Sequence, residues 1–257
     1  MVDKTVIPTL ISELKDPKRS VRGKAASTLG EIGDRSAVPA LTEALRDKDS
    51  FVRGRAVSAL GEIGDRDAVT ALIITLKDRE PLVRYCAAEA LGGMGDKRAV
   101  TALIEALRDE EHLVRGRAAS ALGKIKDGSA VPALSIALKD KERSVRYCAA
   151  FALGNIKDSS AVPALIPSLR DRERSVRYCA AFALGEIKDS SAVPALNATL
   201  KDRESSVRYL VAKALGEIGD KNAIPALMGV MKDEDRTVRV NVVLALGNIG
   251  DESVFLL

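Results

Sequence analysis

The chain has no tryptophan, no glutamine, a single histidine and only 3% aromatic residues among its 257 residues. With so few large rings, a core must be built from alanine, leucine, valine and isoleucine in closely packed helices. His112 has no second histidine and no cysteine at an equivalent position nearby, which argues against a metal site and against histidine-dependent nucleophilic catalysis. The absence of glutamine, together with 30% charged residues, favours a thermophilic, thermostable protein.

Self-similarity at an interval of 31 residues dominates what is present. Val-Arg occurs eight times at this interval, from Val21-Arg22 to Val238-Arg239, and a Leu-Gly follows each pair. Such a fixed period is typical of stacked repeat proteins. It divides the chain into repeats 4–34, 35–65, 66–96, 97–127, 128–158, 159–189, 190–220 and 221–251, with a tail at 252–257. We predict one all-α domain, 1–257, in which eight two-helix repeats form an α-solenoid.

Each repeat carries start and stop signals for two helices. In the sixth repeat, Ser160 is expected to cap a first helix that has Pro163 in its first turn and ends near Leu169. In seven repeats an acidic residue stands three positions before the valine, where it is expected to cap the second helix. These acids are Asp49, Glu80, Glu111, Glu142, Glu173, Glu204 and Asp235.

Helical spacing divides the second helix into faces. In the sixth repeat it predicts a buried stripe made of Val176, Ala180, Leu184 and Ile187. A glycine inside a helix costs about 1 kcal/mol relative to alanine, so Gly185, which recurs in every repeat, indicates close approach by a neighbouring helix. The remaining face carries Tyr178, Cys179, Phe182 and Glu186.

An aspartate precedes the arginine by six residues in every repeat. We interpret these residues as a structural ladder and not as catalytic pairs, because a group present in every repeat serves the stack. The ladder is represented by Asp140, Arg146, Asp171, Arg177, Asp202 and Arg208.

These features together resemble a known repeat family. The paired helices, the period, the Asp-Arg spacing and the string Ala-Ala-x-Ala-Leu-Gly-x-Ile-Gly-Asp are similar to the short HEAT-like repeats first described in phycobilisome bilin lyases, and to the artificial alphaRep scaffolds. The resemblance covers residues 4–251. It implies a right-handed α-solenoid whose second helices line the concave surface, with the Asp-Arg ladder linking turns of neighbouring repeats. Deoxyhypusine hydroxylases, HEAT-like enzymes that need several His-Glu pairs, are excluded by the single histidine.

The aromatic residues point to a binding site. All four tyrosines, including Tyr85, occupy one repeat position, and Phe151 and Phe182 lie four residues after two of them. Partial packing between neighbouring repeats would explain them, but a contiguous exposed apolar patch usually marks a site. The predicted aromatic strip is about 20 to 25 Å long and consists of Tyr147, Phe151, Tyr178, Phe182 and Tyr209. Lys213, Glu186 and Glu217 are expected to form a charged rim, and Cys148 and Cys179 an apolar surface between the rings.

We therefore predict a non-enzymatic scaffold, without a cofactor, that holds a protein or peptide segment, or a second copy of itself, in its concave groove. The main alternative is a bilin lyase-type accessory protein that binds a tetrapyrrole. A DNA-binding role is weaker, because 40 basic and 36 acidic residues are spread evenly along the repeats and give no one-signed groove.

The cysteines and the two ends complete the sequence-based expectations. Cys86, Cys148 and Cys179 occupy equivalent positions in repeats about 8 to 10 Å apart, too far for disulfides, so free thiols are expected. No signal segment or membrane-length apolar run is present, which predicts a soluble cytoplasmic protein. The first repeat is polar at Thr9 and Glu13, whereas the last is apolar. We expect its end to be covered by Val254, Phe255 and Leu256, by another copy or by further sequence.

Overall fold

The computed structural model describes residues 6–250, in which sixteen α-helices are arranged in consecutive pairs. The predicted all-α repeat architecture is confirmed. The helices group into two compact units, unit 1 up to Asp127 and unit 2 from Gly128; the interpretation of the chain as one domain stays a prediction. Val254, Phe255 and Leu256 lie outside the described residues.

Unit 1 contains four helix pairs. They are α1 (Ile7–Glu13) with α2 (Arg19–Ile32), α3 (Val38–Ala44) with α4 (Ser50–Ile63), α5 (Val69–Thr75) with α6 (Pro81–Met94), and α7 (Val100–Ala106) with α8 (His112–Ile125).

Unit 2 repeats the same pattern. Its pairs are α9 (Val131–Ala137) with α10 (Arg143–Ile156), α11 (Val162–Leu165) with α12 (Arg174–Ile187), α13 (Val193–Thr199) with α14 (Ser205–Ile218), and α15 (Ile224–Met228) with α16 (Arg236–Ile249).

The first helix of the sixth repeat begins and ends differently from the prediction. The side chain of Asp158, and not that of Ser160, caps a short 3-10 turn by accepting a hydrogen bond from the Ser160 amide at 2.9 Å. The α-helix that follows ends at Leu165 and continues as a 3-10 helix over Ile166–Arg170. Pro167 explains the change, because it has no N–H to continue the α-helical ladder.

The start of the second helices also corrects an expectation. Asp49 and Asp235 cap their helices through side-chain hydrogen bonds, but the glutamates at this position do not, including Glu173. The longer glutamate side chain is less suited to folding back onto its own helix. The Glu173 amide instead donates a hydrogen bond to Asp171 Oδ1 at 2.9 Å.

Second helices end at a residue in the left-handed conformation. Glycine occupies this position in five repeats, for example Gly33 with φ 71°, whereas Lys126, Lys157 and Lys188 adopt φ of 58°, 61° and 58°. A side chain at positive φ is strained relative to glycine. These three helix ends therefore carry a cost that the glycine ends avoid.

Small side chains allow the second helices to pack closely. A Cβ added at Gly154 would lie 2.8 Å from Ala183 Cα, and one added at Gly185 would lie 2.9 Å from Ala214 Cβ. Both distances are shorter than ordinary contact, so the recurring glycine permits the approach of the next repeat. The predicted stripe of α12 is buried at Val176, Ala180 and Leu184, but Ile187, at the helix end, is only half-buried.

Candidate protein-interaction surface

Within each unit, the ladder joins each repeat to the next. Arg146 Nε and Nη2 donate to Asp171 Oδ2 and Oδ1 at 2.7 and 2.9 Å, and Nη1 donates to the backbone carbonyl of Asp140 at 2.9 Å. The arginine therefore binds the side chain of the aspartate 25 residues ahead and the main chain of the one behind. The same pairs form in unit 1 at Arg22–Asp47, Arg53–Asp78 and Arg84–Asp109, and in unit 2 at Arg177–Asp202 and Arg208–Asp233.

Hydrogen bonding sets the charge of the ladder aspartates. Burial of the Asp171 carboxyl disfavours its ionised form, but hydrogen bonds from Arg146 and from the Glu173 amide outweigh burial and lower its pKa. The pKa of Asp202 is lowered in the same way by Arg177 against the effect of burial. Each carboxylate is thus held ionised by the arginine of the preceding repeat, which suits a structural role.

The five residues of the aromatic strip lie on three second helices of unit 2. The Phe151 and Phe182 rings stack with centroids 5.4 Å apart and an interplanar angle of 15°. Tyr178 and Tyr209 meet edge to face at 6.2 Å, with their hydroxyl groups 3.1 Å apart. Both geometries are favoured for aromatic pairs. Neighbouring repeats therefore contribute rings to one surface.

Part of the strip is accessible. Tyr147 and Phe151 are each 40% exposed, whereas Tyr178, Phe182 and Tyr209 are half-buried. The partial packing between repeats that would explain the rings without a ligand is therefore present, but it leaves ring faces at the surface.

Cys179 corrects the predicted site. Its side chain is only 2% exposed and lies next to Tyr147, while burial raises the pKa of its thiol to about 12. It therefore offers no surface to a ligand. Cys148, in the preceding repeat, is half-buried; all three cysteines are free thiols.

Charged residues beside the strip are paired with one another. Lys157 Nζ lies 2.6 Å from Glu186 Oε2, and Lys213 Nζ lies 3.6 Å from Glu217 Oε1 within one helix. In each pair the two opposite charges neutralise each other at the edge of the rings. The rim therefore presents polar groups without an excess of either sign.

Two apolar residues of the eighth repeat continue this surface and were missed in the sequence analysis. Val240 stands where the other repeats of unit 2 have tyrosine, and Leu244 stands where the fifth and sixth repeats have phenylalanine. They are 49% and 58% exposed. Their equivalence to the tyrosine and phenylalanine positions could have indicated them, but the predicted strip was defined by aromatic rings and these two residues are aliphatic.

Tyr85 lies apart from the strip, in unit 1. The guanidinium of Arg117 lies 4.5 Å above its ring centroid and also bonds to its hydroxyl group. Arg117 Nη1 forms a further ion pair with Glu89 Oε1 at 3.1 Å. Cation–π stacking covers one face of the ring, so Tyr85 belongs to a polar cluster.

Comparison with known proteins agrees with this geometry. The sequence profile of HEAT repeats matches residues 7–81, 69–146, 131–208 and 195–255. The chain belongs to the HEAT-repeat family. Its fold is suited to protein interaction, since stacked helix pairs present an extended surface. No match was found among the sequences of curated proteins.

Solved structures place this HEAT-repeat protein among similar folds. It is similar to YibA of Escherichia coli, with a TM-score of 0.69, 25% identity and coverage of 95% of this chain and 92% of that one. It is also similar to a chain from the complex of CpcE and CpcF of phycocyanin lyase from Nostoc sp. PCC7120, with a TM-score of 0.55, 27% identity and coverage of 88% and 93%. An engineered protein, at a TM-score of 0.61, 24% identity and coverage of 95% and 78%, shares the fold.

Residues 6–250 contain neither a candidate metal site nor a candidate membrane span. No group of three or more histidine, cysteine, aspartate or glutamate side chains there is arranged to hold a metal ion. No helix in the same residues is long and apolar enough to cross a membrane.

Proposed function

We propose that this HEAT-repeat protein is a non-enzymatic scaffold that binds a protein segment across the aromatic strip. The observation that carries the proposal is the run of exposed and half-buried apolar side chains at equivalent positions in successive repeats of unit 2. Phe151 and Leu244 mark its two ends, and each is at least 40% exposed. Core packing does not require large rings at these positions, because three of the four repeats of unit 1 have glycine and serine there.

The chemistry of the surface defines the segment that fits. Rings that stack on one another are rigid, so they lose little side-chain freedom when a ligand covers them. The rim pairs Lys157–Glu186 and Lys213–Glu217 are already neutralised. The surface therefore favours a helix or extended segment with two or three apolar anchors and little net charge.

Selection from a displayed random-peptide library tests the proposal. We expect binders that share apolar anchors and that bind the Phe151→Ser, Phe182→Ser variant at least tenfold more weakly. Serine is the residue at the equivalent position in three repeats of unit 1, so the helices tolerate it. Ile74→Ser, on a first helix of unit 1, removes an exposed apolar side chain outside the strip; it is the matched control and should leave binding unchanged. Binders that do not distinguish the double variant would overturn the proposed site.

A second substitution separates binding from folding. Tyr178→Ala with Phe182→Ala removes the edge-to-face and stacked contacts but leaves the buried Val176, Ala180 and Leu184 untouched. We expect helicity to be retained, with a stability loss of about 1 to 2 kcal/mol from the lost ring contacts and loss of peptide binding. Unfolding of the variant, with binding per folded molecule preserved, would assign the rings to the core.

A tetrapyrrole-binding role is the second candidate, supported by the similarity to the CpcE–CpcF structure. The aromatic strip would then hold the flat pigment against its rings. Incubation with bilin, followed by absorbance spectroscopy, tests it: a shifted absorbance band that disappears in the Phe151→Ser, Phe182→Ser variant would favour this role over the scaffold.

The complex of CpcE and CpcF also supports protein association. A molecular mass that increases with concentration in sedimentation would indicate binding of a second copy.

A further inference from the structure

Unit 1 carries exposed apolar residues at a different repeat position. Phe51, Leu82 and Leu113 are 45%, 67% and 59% exposed. Each is the second residue of its helix, α4, α6 or α8, so these three form an apolar row along successive helix starts. Unit 2 has Ser144, Ser175, Ser206 and Thr237 at the same position, which shows that stacking of the repeats does not require apolar side chains there.

Residues four apart share a helix face. One turn after Phe51 and Leu113 stand Arg55 and Arg117, whereas Cys86 follows Leu82. With Lys24 at the same position of the first repeat, these cations form a basic row of Lys24, Arg55 and Arg117 that is interrupted in the third repeat. The Arg55 guanidinium lies 5.2 Å from the centroid of the Phe51 ring, so the two rows adjoin. Within residues 6–250, Lys24 and Arg55 form no ion pair within 4.0 Å, whereas Arg117 is paired with Glu89.

An open notch lies within the basic row. In the first repeat, the Phe51 ring occupies the place where a Cβ on Gly23 would lie. Gly54 occupies the same position in the second repeat, but no atom of a neighbouring side chain lies within 4 Å of where its Cβ would be. Leu82, the counterpart of Phe51, therefore leaves this place uncovered. A partner side chain can enter beside Arg55.

We propose that the apolar row, the basic row and the Gly54 notch form a second docking surface, for an amphipathic helix with acidic residues along one edge of its apolar stripe. The proposal is independent of the function assigned to unit 2. Successive second helices lie about 8 to 10 Å apart, which matches the rise of about 10.5 Å between helix residues i and i+7. Leucines at that spacing place one apolar side chain against each of Phe51, Leu82 and Leu113.

Charge complementarity fixes which edge of the partner is acidic. Carboxylates on the edge next to Lys24 and Arg55 meet cations that form no ion pair with any residue in 6–250, and they are attracted over distances of several ångströms. On the other side of the apolar row, Glu80 and Glu111 are exposed at the helix starts. That edge of the partner carries basic or neutral residues, so the helix binds in one orientation.

Two synthetic helical peptides of equal length test the inference by fluorescence anisotropy. Both carry leucine at i, i+7 and i+14; one has glutamates along one edge of the stripe and lysines along the other, and the second has lysines along both. We expect the first to bind at least tenfold more tightly at low salt. Absence of saturable binding by the first peptide, or equal affinity for the two, would overturn the proposal.

Three variants locate the binding. Phe51→Ser with Leu82→Ser and Leu113→Ser, which installs the residue common in unit 2, should weaken binding of the glutamate peptide at least tenfold. Arg55→Glu should remove its advantage over the lysine peptide, and Gly54→Tyr should fill the notch with the residue found at the equivalent Tyr85. Ile136→Ser, which removes an exposed apolar side chain outside both surfaces, is the control and should leave binding unchanged. Unchanged affinity in the first three variants would contradict the assigned surface.

Discussion

On their second helices, unit 1 and unit 2 place their exposed apolar side chains at different positions of the same repeat. In unit 1 they stand at the second residue of three of the four second helices, as Leu82 does, and a basic residue follows one turn later in two of these three. In unit 2 that position is serine or threonine, and apolar residues such as Tyr147 and Phe151 come three and seven residues afterwards. Beneath these surfaces the ladder and the glycine contacts are the same.

The comparison shows that the buried framework of this repeat is separate from its surface. Arginine, aspartate, alanine and glycine at fixed positions satisfy the stack, and the remaining second-helix positions are free to change. A repeat array can thus present two chemically different surfaces without altering its packing. The predictions below test whether the frameworks are equivalent, beginning with the largest effect.

Removal of a ladder arginine should destabilise both units alike. Arg53→Ala in unit 1 and Arg177→Ala in unit 2 each leave a partly buried aspartate without its bidentate partner, at a cost of about 3 kcal/mol. Urea unfolding followed by circular dichroism measures the loss. A large difference between the two variants would show that the frameworks are not equivalent.

An exposed ion pair provides the control for the ladder variants. Arg174 Nη1 lies 3.9 Å from Glu204 Oε2, and the arginine side chain is largely exposed. Arg174→Ala should change the unfolding free energy by less than about 0.5 kcal/mol. A loss as large as that of Arg177→Ala would mean that removal of any arginine is destabilising, whether or not it belongs to the ladder.

Glycine substitutions should separate close contact from open space. A Cβ at Gly92 would lie 2.7 Å from Ala121 Cα, and one at Gly154 would lie 2.8 Å from Ala183 Cα. Alanine at either position should cost about 1 to 3 kcal/mol through overpacking. Gly54→Ala should instead stabilise by up to about 1 kcal/mol, because nothing lies within 4 Å and alanine favours the helix. Thermal unfolding distinguishes the three; equal melting temperatures would contradict the packing described.

Acid should weaken both units through the same carboxylates. The pKa values of Asp78 in unit 1 and Asp202 in unit 2 are lowered, because hydrogen bonds from Arg53 and Arg177 outweigh burial. A lowered folded-state pKa stabilises the fold above the unfolded value of about 3.9, and this stability is lost as the pH falls through the folded value. The urea concentration at the unfolding midpoint should therefore decrease as the pH is lowered below about 4. In an Asp202→Asn variant this acid-induced decrease should be smaller. A decrease equal to that of the unchanged protein would exclude Asp202 as a contributor.

The smallest effect concerns the thiols. Burial raises the pKa of Cys179 in unit 2 to about 12, while Cys86 in unit 1 is half-buried with a less strongly raised pKa. The thiolate is the reactive form, so iodoacetamide should modify Cys86 at least tenfold faster. Peptide mass spectrometry gives both rates, and denaturant should equalise them. Equal rates in the native protein would mean that Tyr147 does not cover Cys179.

The framework was predictable because it is periodic. One interval in the sequence indicated the helix pairs, the Arg-Asp spacing indicated the ladder residues, and the glycine at Gly185 indicated a close contact. What the sequence did not contain was the direction of the ladder, in which Arg177 pairs with Asp202 of the next repeat and not with Asp171 of its own. Both pairings satisfy the same periodicity, so only geometry distinguishes them.

Surface details were harder to predict for a physical reason. Cys179 and Cys148 occupy equivalent positions, yet the first is buried and the second half-buried. Tyr147 of the preceding repeat lies next to Cys179, whereas the repeat before Cys148 has Gly116 at that position. Val240, Leu244 and the apolar row are aliphatic or isolated in sequence, and their exposure depends on what adjacent repeats provide. Exposure at a given repeat position is a property of two or more repeats together, which a single repeat pattern does not reveal.

The constant offset of 25 residues between each ladder arginine and its aspartate has a consequence for how such a protein changes length. An in-frame duplication of one 31-residue segment recreates every arginine–aspartate pair and every glycine–alanine contact on both sides of the inserted copy. The interior of the longer chain therefore has all of its pairs and contacts from the start. Only the surface positions of the new copy are free to change. Gene duplication can thus lengthen this protein in a single event, and later point mutations can turn the added copy into new binding chemistry.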